Sequence, residues 1–380
     1  MHLSNKPERR RARRLWPPLA CAAWLASMGW VAPQTGLGGM AAGLVLAALL
    51  AVPVAGAFLW LDRWEHARPR LLASAFVWGA SFAALSAIWS QTALQALADT
   101  AVGTDFGKWF RPLVITPVTE EGFKYLFLVW LSVHRRRQIA GLLHGIVYGG
   151  LVGAGFAFTE NTLYLGKAVT AFAAAGTSDA HAVGRLLITL LLRMVMIPYF
   201  HPLMVALSGI AVAASMARRG RVARTATALA GPLAAAALHG AWDWASLAGG
   251  NPFLIYEIYG AVLVPVFLTM LVLALVLRRR QGRALAASLP ALARTGHIAA
   301  DEVPVLGDLA SRRRARGEAR RRAGRGASRA TARYQAAVSS LGIGTARAHT
   351  VQDRDVLAEQ AREAAAARAE MAAALAARRA

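Results

Sequence analysis

The sequence predicts an all-α fold, a polytopic transmembrane helical bundle of about eight spans that ends in a basic cytoplasmic C-terminal tail. Three observations lead there. Of the 380 residues 56% are hydrophobic and the mean hydropathy is +0.41, more apolar than a soluble domain sustains. The apolar residues gather in runs near or above the roughly 20 positions that an α-helix needs to cross a hydrocarbon core. The 43 Lys and Arg, against 20 Asp and Glu, fall largely in short blocks between those runs. The net charge of +23 therefore reads as topology before it reads as a nucleic-acid surface.

In chain order, residues 2–14 hold six cations, Lys6, Arg9, Arg10, Arg11, Arg13 and Arg14, and an apolar run follows at 15–32. A basic segment before an apolar one also describes a secretory signal, with a small-residue site near Ala32. The length of the run, and a second at 37–61 almost directly behind it, favour an uncleaved first span. Six more runs cover 71–93, 109–133, 139–165, 186–216, 225–247 and 255–277. With the N-terminus inside, the inner segments hold sixteen Lys and Arg, and the outer ones only Lys108, Arg111, Lys167 and Arg185. That asymmetry places both termini in the cytoplasm and the protein in a bacterial-type plasma membrane. The sixth run is too long for one straight span and contains Pro198 and Pro202, so a kink or an interfacial helix is expected there. Gly149, Gly150, Gly153 and Gly155 give the fifth run small residues across which helices approach closely.

Three regions follow: 1–70 with the basic tail and two spans, a core at 71–277, and a tail at 278–380. The tail holds 21 Arg and 9 acidic residues among many alanines. That composition predicts segments that are disordered or singly helical, with 351–380 a solvated helix without a core. Blocks such as Arg312 to Arg314 and Arg320 to Arg322 read as solvated charge; anionic lipids are the partner they suit, at about 1 kcal/mol per charge, and nucleic acid is not favoured. The lone cysteine, Cys21, excludes an intrachain disulfide and a Cys-built metal site. No phosphate loop, dinucleotide fingerprint or HExxH is present.

The fourth run is interrupted by Glu120, Glu121 and Lys124, where each charge costs roughly 2.5–3.5 kcal/mol on insertion scales. Ionisable residues at that depth mark a functional site by default. On a helix Lys124 reaches either carboxylate, at i+4 and i+3, while the carboxylates point about 100° apart. A structural ion pair explains one of them, which leaves the other to face a cavity. Glu160 and Asn161 close the fifth run, Arg193 and His201 lie in the sixth, and His239 and Asp243 share a face of the seventh. Their depths agree, with Glu120 near mid-span and His239 about 12 Å from the outer end of its helix. His144 and Tyr148, nearer the inner end of the fifth run, are expected to be structural.

Carboxylates and histidines that meet in a wet pocket suit hydrolysis. A carboxylate, or a metal held by His and carboxylate, takes a proton from water and directs the hydroxide at a carbonyl, and a further polar group stabilises the oxyanion. No serine or cysteine stands as an obvious nucleophile, so activated water is expected rather than an acyl-enzyme. The same groups would serve a proton-coupled transporter or scaffold as a relay. Against that, the acidic motif of the fourth span has no counterpart in the eighth, as an inverted repeat would require.

Taken in order, the residues resemble the PrsW-type intramembrane proteases, distant relatives of the CAAX-prenyl endopeptidases and bacteriocin-processing membrane proteases. The resemblance rests on Glu120-Glu121-x-x-Lys124, on Gly155-Phe156-Ala157-x-x-Glu160-Asn161 with Tyr164, on Arg193 with Pro198 and His201, and on His239 with Trp242 and Asp243. It covers residues 70–280 and leaves out the first two spans and the tail. It implies cleavage of membrane-embedded protein substrates, the best-known being a transmembrane anti-sigma factor. It further implies Glu120 and Glu121 as the catalytic pair shaped by Lys124, His201 and His239 as groups that bind metal or polarise the carbonyl, and Glu160, Asn161 and Asp243 in support. The family is commonly called a metalloprotease, whereas its relatives look like glutamate-dependent hydrolases; His201, His239 and Glu121 would make an adequate zinc set. A CAAX-like prenyl-protein endopeptidase is the alternative among hydrolases, and the outward placement of Glu160 argues against its cytoplasmic substrate.

Overall fold

The computed structural model describes residues 6–65, 68–247, 251, 253–347 and 351–377, and their regular structure is helical throughout. The side chains of the basic N-terminal block up to Arg14, and the last three residues of the tail, lie outside the described residues. The principal helices are α1 (Lys6–Leu61), α2 (Pro69–Val102), α3 (residues 104–134), α4 (Leu142–Ala175), α5 (Ala180–Leu190), α6 (Phe200–Ser215), α7 (Arg221–Leu247), α8 (Leu254–Arg294), α9 (Val303–Gly307), α10 (Leu309–Arg347) and α11 (Val351–Ala376).

Each of the eight apolar runs corresponds to a helical stretch. Among the described residues, however, five helices are long and apolar enough to cross a membrane: Leu15–Leu61, Pro69–Val102, Leu142–Ala175, Ala180–Ser215 and Leu254–Arg294. Length and composition thus give five candidate helices against the eight expected spans. The first two runs join in one helix, Glu120, Glu121 and Lys124 interrupt α3, and small residues with Thr and His dilute α7.

Helix α1 is nonetheless not straight. Gly36 leaves helical geometry with φ +65°, a conformation glycine adopts without steric strain. Before it, Trp24 stacks on Phe158 of α4; after it, Leu50 and Val54 line a small cavity with Ala157 and Phe158, and Phe58 lies against Gly150. In a straight helix Trp24 and Leu50 would stand about 39 Å apart. The chain therefore doubles back at Gly36.

Helix α4 is buried on nearly every side, and its glycines decide what packs there. A Cβ on Gly145, Gly149 or Gly153 would lie 2.2–2.4 Å from the carbonyl oxygens of Gly209, Val205 and His201 on α6, and one on Gly155 would lie 1.9 Å from that of Phe76 on α2. Backbones in direct contact are what small residues permit in an apolar bundle. Helix α2 carries a π-turn at Gly79–Ala83, where Thr159 donates to the Ala80 carbonyl at 2.7 Å. Helix α3 carries another at Arg111–Ile115, with Pro112 inside it and Pro117, which has no N–H to place in the ladder, just after. Helix α5, capped by the Asp179 carboxylate on the His181 and Ala182 amides, runs into a π-turn at Leu191–Met196 and stops. Pro198 lies in the break and Pro202 in the first turn of α6, so the expected kink is a full interruption.

The chain divides into two compact units, Met1–Trp60 with Arg68–Val272, and Leu61–Ala67 with Leu273–Ala380. The second unit corrects the reading of the tail as disordered or as a solvated helix without a core. Leu285, Leu289 and Leu292 of α8 and Tyr334, Val338 and Leu341 of α10 are buried together, with Ile298, Leu306, Ile343 and Ala364 of α11. Each helix spaces its few large residues at i, i+4 and i+7, which makes a narrow seam, and the surrounding alanines let helices close over it. Arg312 is 0% exposed there, donating to the Leu306 carbonyl and the Ser339 hydroxyl at 2.8 Å each, with its guanidinium 5.5 Å from the Trp64 ring. Burial, and then the nearby Arg316, bring its pKa down to about 10.

Candidate active site

Four helices of the first unit meet at one buried cluster. Helix α3 brings Glu120, Glu121 and Lys124 within two turns; α4 brings Glu160, Asn161 and Tyr164; α6 opens with His201; and α7 supplies His239 and Asp243. The break after α5 turns the chain so that His201 enters the cluster, and Gly153 lets α6 sit against α4 at that level. Gly240, beside His239, lets α7 approach the π-turn of α3, where a Cβ would be 2.8 Å from the Leu113 carbonyl.

Lys124 lies at the centre, 0% exposed. Its ammonium is 3.1 Å from Glu120 Oε2, 2.8 Å from Glu121 Oε1 and 3.0 Å from His201 Nδ1, and 3.8 Å from the centre of the Phe156 ring. All three of its donors are in use. The expectation that Lys124 holds one carboxylate and frees the other is thus corrected: positions i+3 and i+4 let a single ammonium sit between both.

The carboxylates differ in what else they meet. Glu121 is the more enclosed, with a side chain 1% exposed; its Oε1 also meets His239 Nδ1 at 3.0 Å, and its buried Oε2 has no hydrogen-bond partner among the described residues. Glu120 is the more open, 9% exposed, and its Oε1 accepts from Gln91 Nε2 of α2 at 3.2 Å. Gln91 was not singled out from the sequence, where one amide near the end of an apolar run carries no charge to mark it.

Both ring nitrogens of His201 are engaged, Nδ1 with Lys124 and Nε2 with Glu160 Oε2 in a short contact. The other oxygen of Glu160 is 3.3 Å from Arg193 Nη1, which also donates to Asn161 Oδ1 at 3.4 Å, and the Arg193 guanidinium stacks 3.7 Å over the Tyr164 ring. His239 is different. Its Nε2 makes no hydrogen bond among the described residues, with Asp243 Oδ2 3.6 Å and Glu120 Oε2 4.0 Å away. Phe200 presents its edge to the His239 ring, 5.1 Å between centroids. All eight residues read as catalytic from the sequence fall in this network, Asn161 by way of Arg193 and Asp243 by way of His239. His144 and Tyr148 are buried on α4, about 18 Å or more along the axis from Glu160.

Glu120, Glu121, His201 and His239 each offer a donor atom within 4.8 Å of the others, all four residues buried. Two imidazoles and two carboxylates are a donor set that a divalent transition-metal ion accepts, and Glu121 Oε2 is a buried acceptor without a partner among the described residues. The residues therefore fit a metal in type and spacing, although three of them now hold Lys124.

No curated protein and no solved structure matches the chain. The profile of the PrsW family intramembrane metalloproteases matches residues 67–275, which include every member of the cluster. Because that segment is more than half of the chain and carries the whole constellation of buried acids and histidines, the chain belongs to the PrsW family and is a membrane protease.

Proposed function

We propose that the chain hydrolyses peptide bonds of membrane-embedded protein substrates with a water molecule activated by Glu120. The observation that carries this reading is the inequality of the two carboxylates. Glu121 is enclosed and tied to Lys124 and His239, whereas Glu120 lies nearer open space with its two oxygens oriented by Lys124 and Gln91. A carboxylate so placed is the natural proton acceptor. Glu120 takes a proton from water as the water oxygen bonds to the scissile carbonyl carbon. His239, doubly protonated with its Nδ1–H on Glu121, donates from Nε2 to the oxygen that gains charge, since Nε2 makes no hydrogen bond among the described residues. Glu120 then passes its proton to the amine as the C–N bond breaks. Lys124 neutralises the paired acids throughout, and Glu160, itself held by Arg193, fixes the ring of His201 against Lys124.

With Lys124 displaced, a zinc-like ion held by Glu120, Glu121, His201 and His239 would supply Lewis-acid polarisation of water and carbonyl. The positive-inside asymmetry supports cytoplasmic termini in a plasma membrane crossed about eight times, with anionic lipids at the basic loops. The family membership supports membrane-embedded protein substrates, and a single-span regulator such as a transmembrane anti-sigma factor is the class we propose within them. The test is cleavage of a panel of single-span proteins by the purified chain in bilayers. Glu120→Gln should lose about 10²–10⁴-fold in rate. Undiminished cleavage by both Glu120→Gln and Glu121→Ala would overturn the reading.

A further inference from the structure

We propose that the ammonium of Lys124 and a divalent metal ion are alternative occupants of one donor cage, so that Lys124 decides whether the site carries a metal. Three of the four candidate ligands, Glu120, Glu121 and His201, each have an atom 2.8–3.1 Å from Lys124 Nζ. One donor atom from each of these residues and one from His239 lie within 4.8 Å of one another. An ion bonded to them at the roughly 2.0–2.2 Å of zinc sites would press against the ammonium, and two like charges at that distance in a buried site repel strongly.

The histidine gives a second, purely chemical reason. A neutral imidazole has one lone pair to offer, and that of His201 is directed from Nδ1 to Lys124 while Nε2–H faces the Glu160 carboxylate. His201 therefore binds a metal only once Lys124 has withdrawn. Withdrawal has no easy path, because the lysine side chain is 0% exposed and its head group rests on Phe156. Conversely, deleting the ammonium leaves two carboxylates and the His201 imidazole facing one vacated point, with His239 within ligand reach of them, the makings of a four-ligand site.

The experiment uses the full-length protein in detergent, stripped with chelator and titrated with Co²⁺, whose visible absorption reports four-coordinate binding; zinc content is measured in parallel. Wild type is expected to hold no stoichiometric metal. Lys124→Met should bind one equivalent of Co²⁺ at least about a hundredfold more tightly, Lys124→Arg should behave as wild type, and Glu121→Gln added to Lys124→Met should abolish binding. One tightly held equivalent in the wild type would overturn the proposal even if the variants fail to fold, as would a folded Lys124→Met protein that binds none. Cobalt binding is read without substrate, so its outcome is separate from whether Glu120 activates water.

Discussion

Among the described residues the two units each bury one cation completely, and they treat it differently. Lys124 and Arg312 are both 0% exposed. Lys124 touches two carboxylates and an imidazole, whereas Arg312 touches a carbonyl, a hydroxyl and the neighbourhood of an indole ring, with no carboxylate at ion-pair distance among the described residues. A compact, strongly hydrated ammonium among apolar spans is tolerable only with opposite charge around it. A delocalised, weakly hydrated guanidinium can be held by neutral acceptors. Charge at Lys124 is thus part of a coupled chemical unit, while charge at Arg312 is a by-product of the shape and donors that join α10 to its neighbours.

The largest expected difference follows from removing each charge. Lys124→Met, measured in chelator, leaves Glu120 and Glu121 buried beside each other without a cation, and should lose about 3–5 kcal/mol of stability, seen as a lowered thermal midpoint in detergent. Added Co²⁺ should restore part of it. A midpoint equal to wild type in chelator would show that the acids are not held by Lys124 at all.

A smaller effect is expected from the packing that brings the first unit's groups together. Gly149→Leu must push α6 from α4, because a Cβ there already falls 2.3 Å from the Val205 carbonyl, and overpacking of this kind loses about 1–3 kcal/mol. His201 lies one turn along the same contact and should shift with it, so cleavage should fall more than stability does. Gly29→Ala, where a Cβ meets nothing within 4 Å, is the matched control and should leave both unchanged. Gln91→Leu removes one hydrogen bond to Glu120 and should lower kcat about tenfold at constant KM and constant thermal midpoint. A proportional rise in KM instead would assign Gln91 to substrate binding.

The same contrast explains what could be read without the structure. Charges inside an apolar run are conspicuous, so Glu120, Glu121, Lys124, His239 and Asp243 stood out, and local spacing told which of them share a face. Pro198 marked the break because a missing N–H is a local property. That the groups of four helices converge was legible from their depths; which partner each one takes was not. His201 comes within 3.0 Å of Lys124 across 77 positions of sequence, and Gln91 reaches Glu120 across 29, through contacts set by glycines on a third helix. Hydropathy also passed over the seam of the second unit, whose leucines are few but recur at helical spacing, while the charges and small residues of α3 and α7 keep those helices below the apolarity of the five candidate spans.

The smallest expected effect tests the other half of the comparison. Arg312→Met keeps the length and most of the volume of the side chain while deleting its charge and two hydrogen bonds. One amino group of that guanidinium, Nη2, is already buried without a partner among the described residues, and burial has already drawn the pKa down from the ordinary arginine range. The substitution therefore removes an unfavourable burial along with two favourable bonds, and replacement of buried charge by an apolar group of similar volume is often neutral or better. The expected change is within about 1 kcal/mol, with cleavage unaffected. A loss as large as that of Lys124→Met would mean that Arg312 answers a counter-charge in the same way, and the distinction between a chemical cation and an architectural one would not stand.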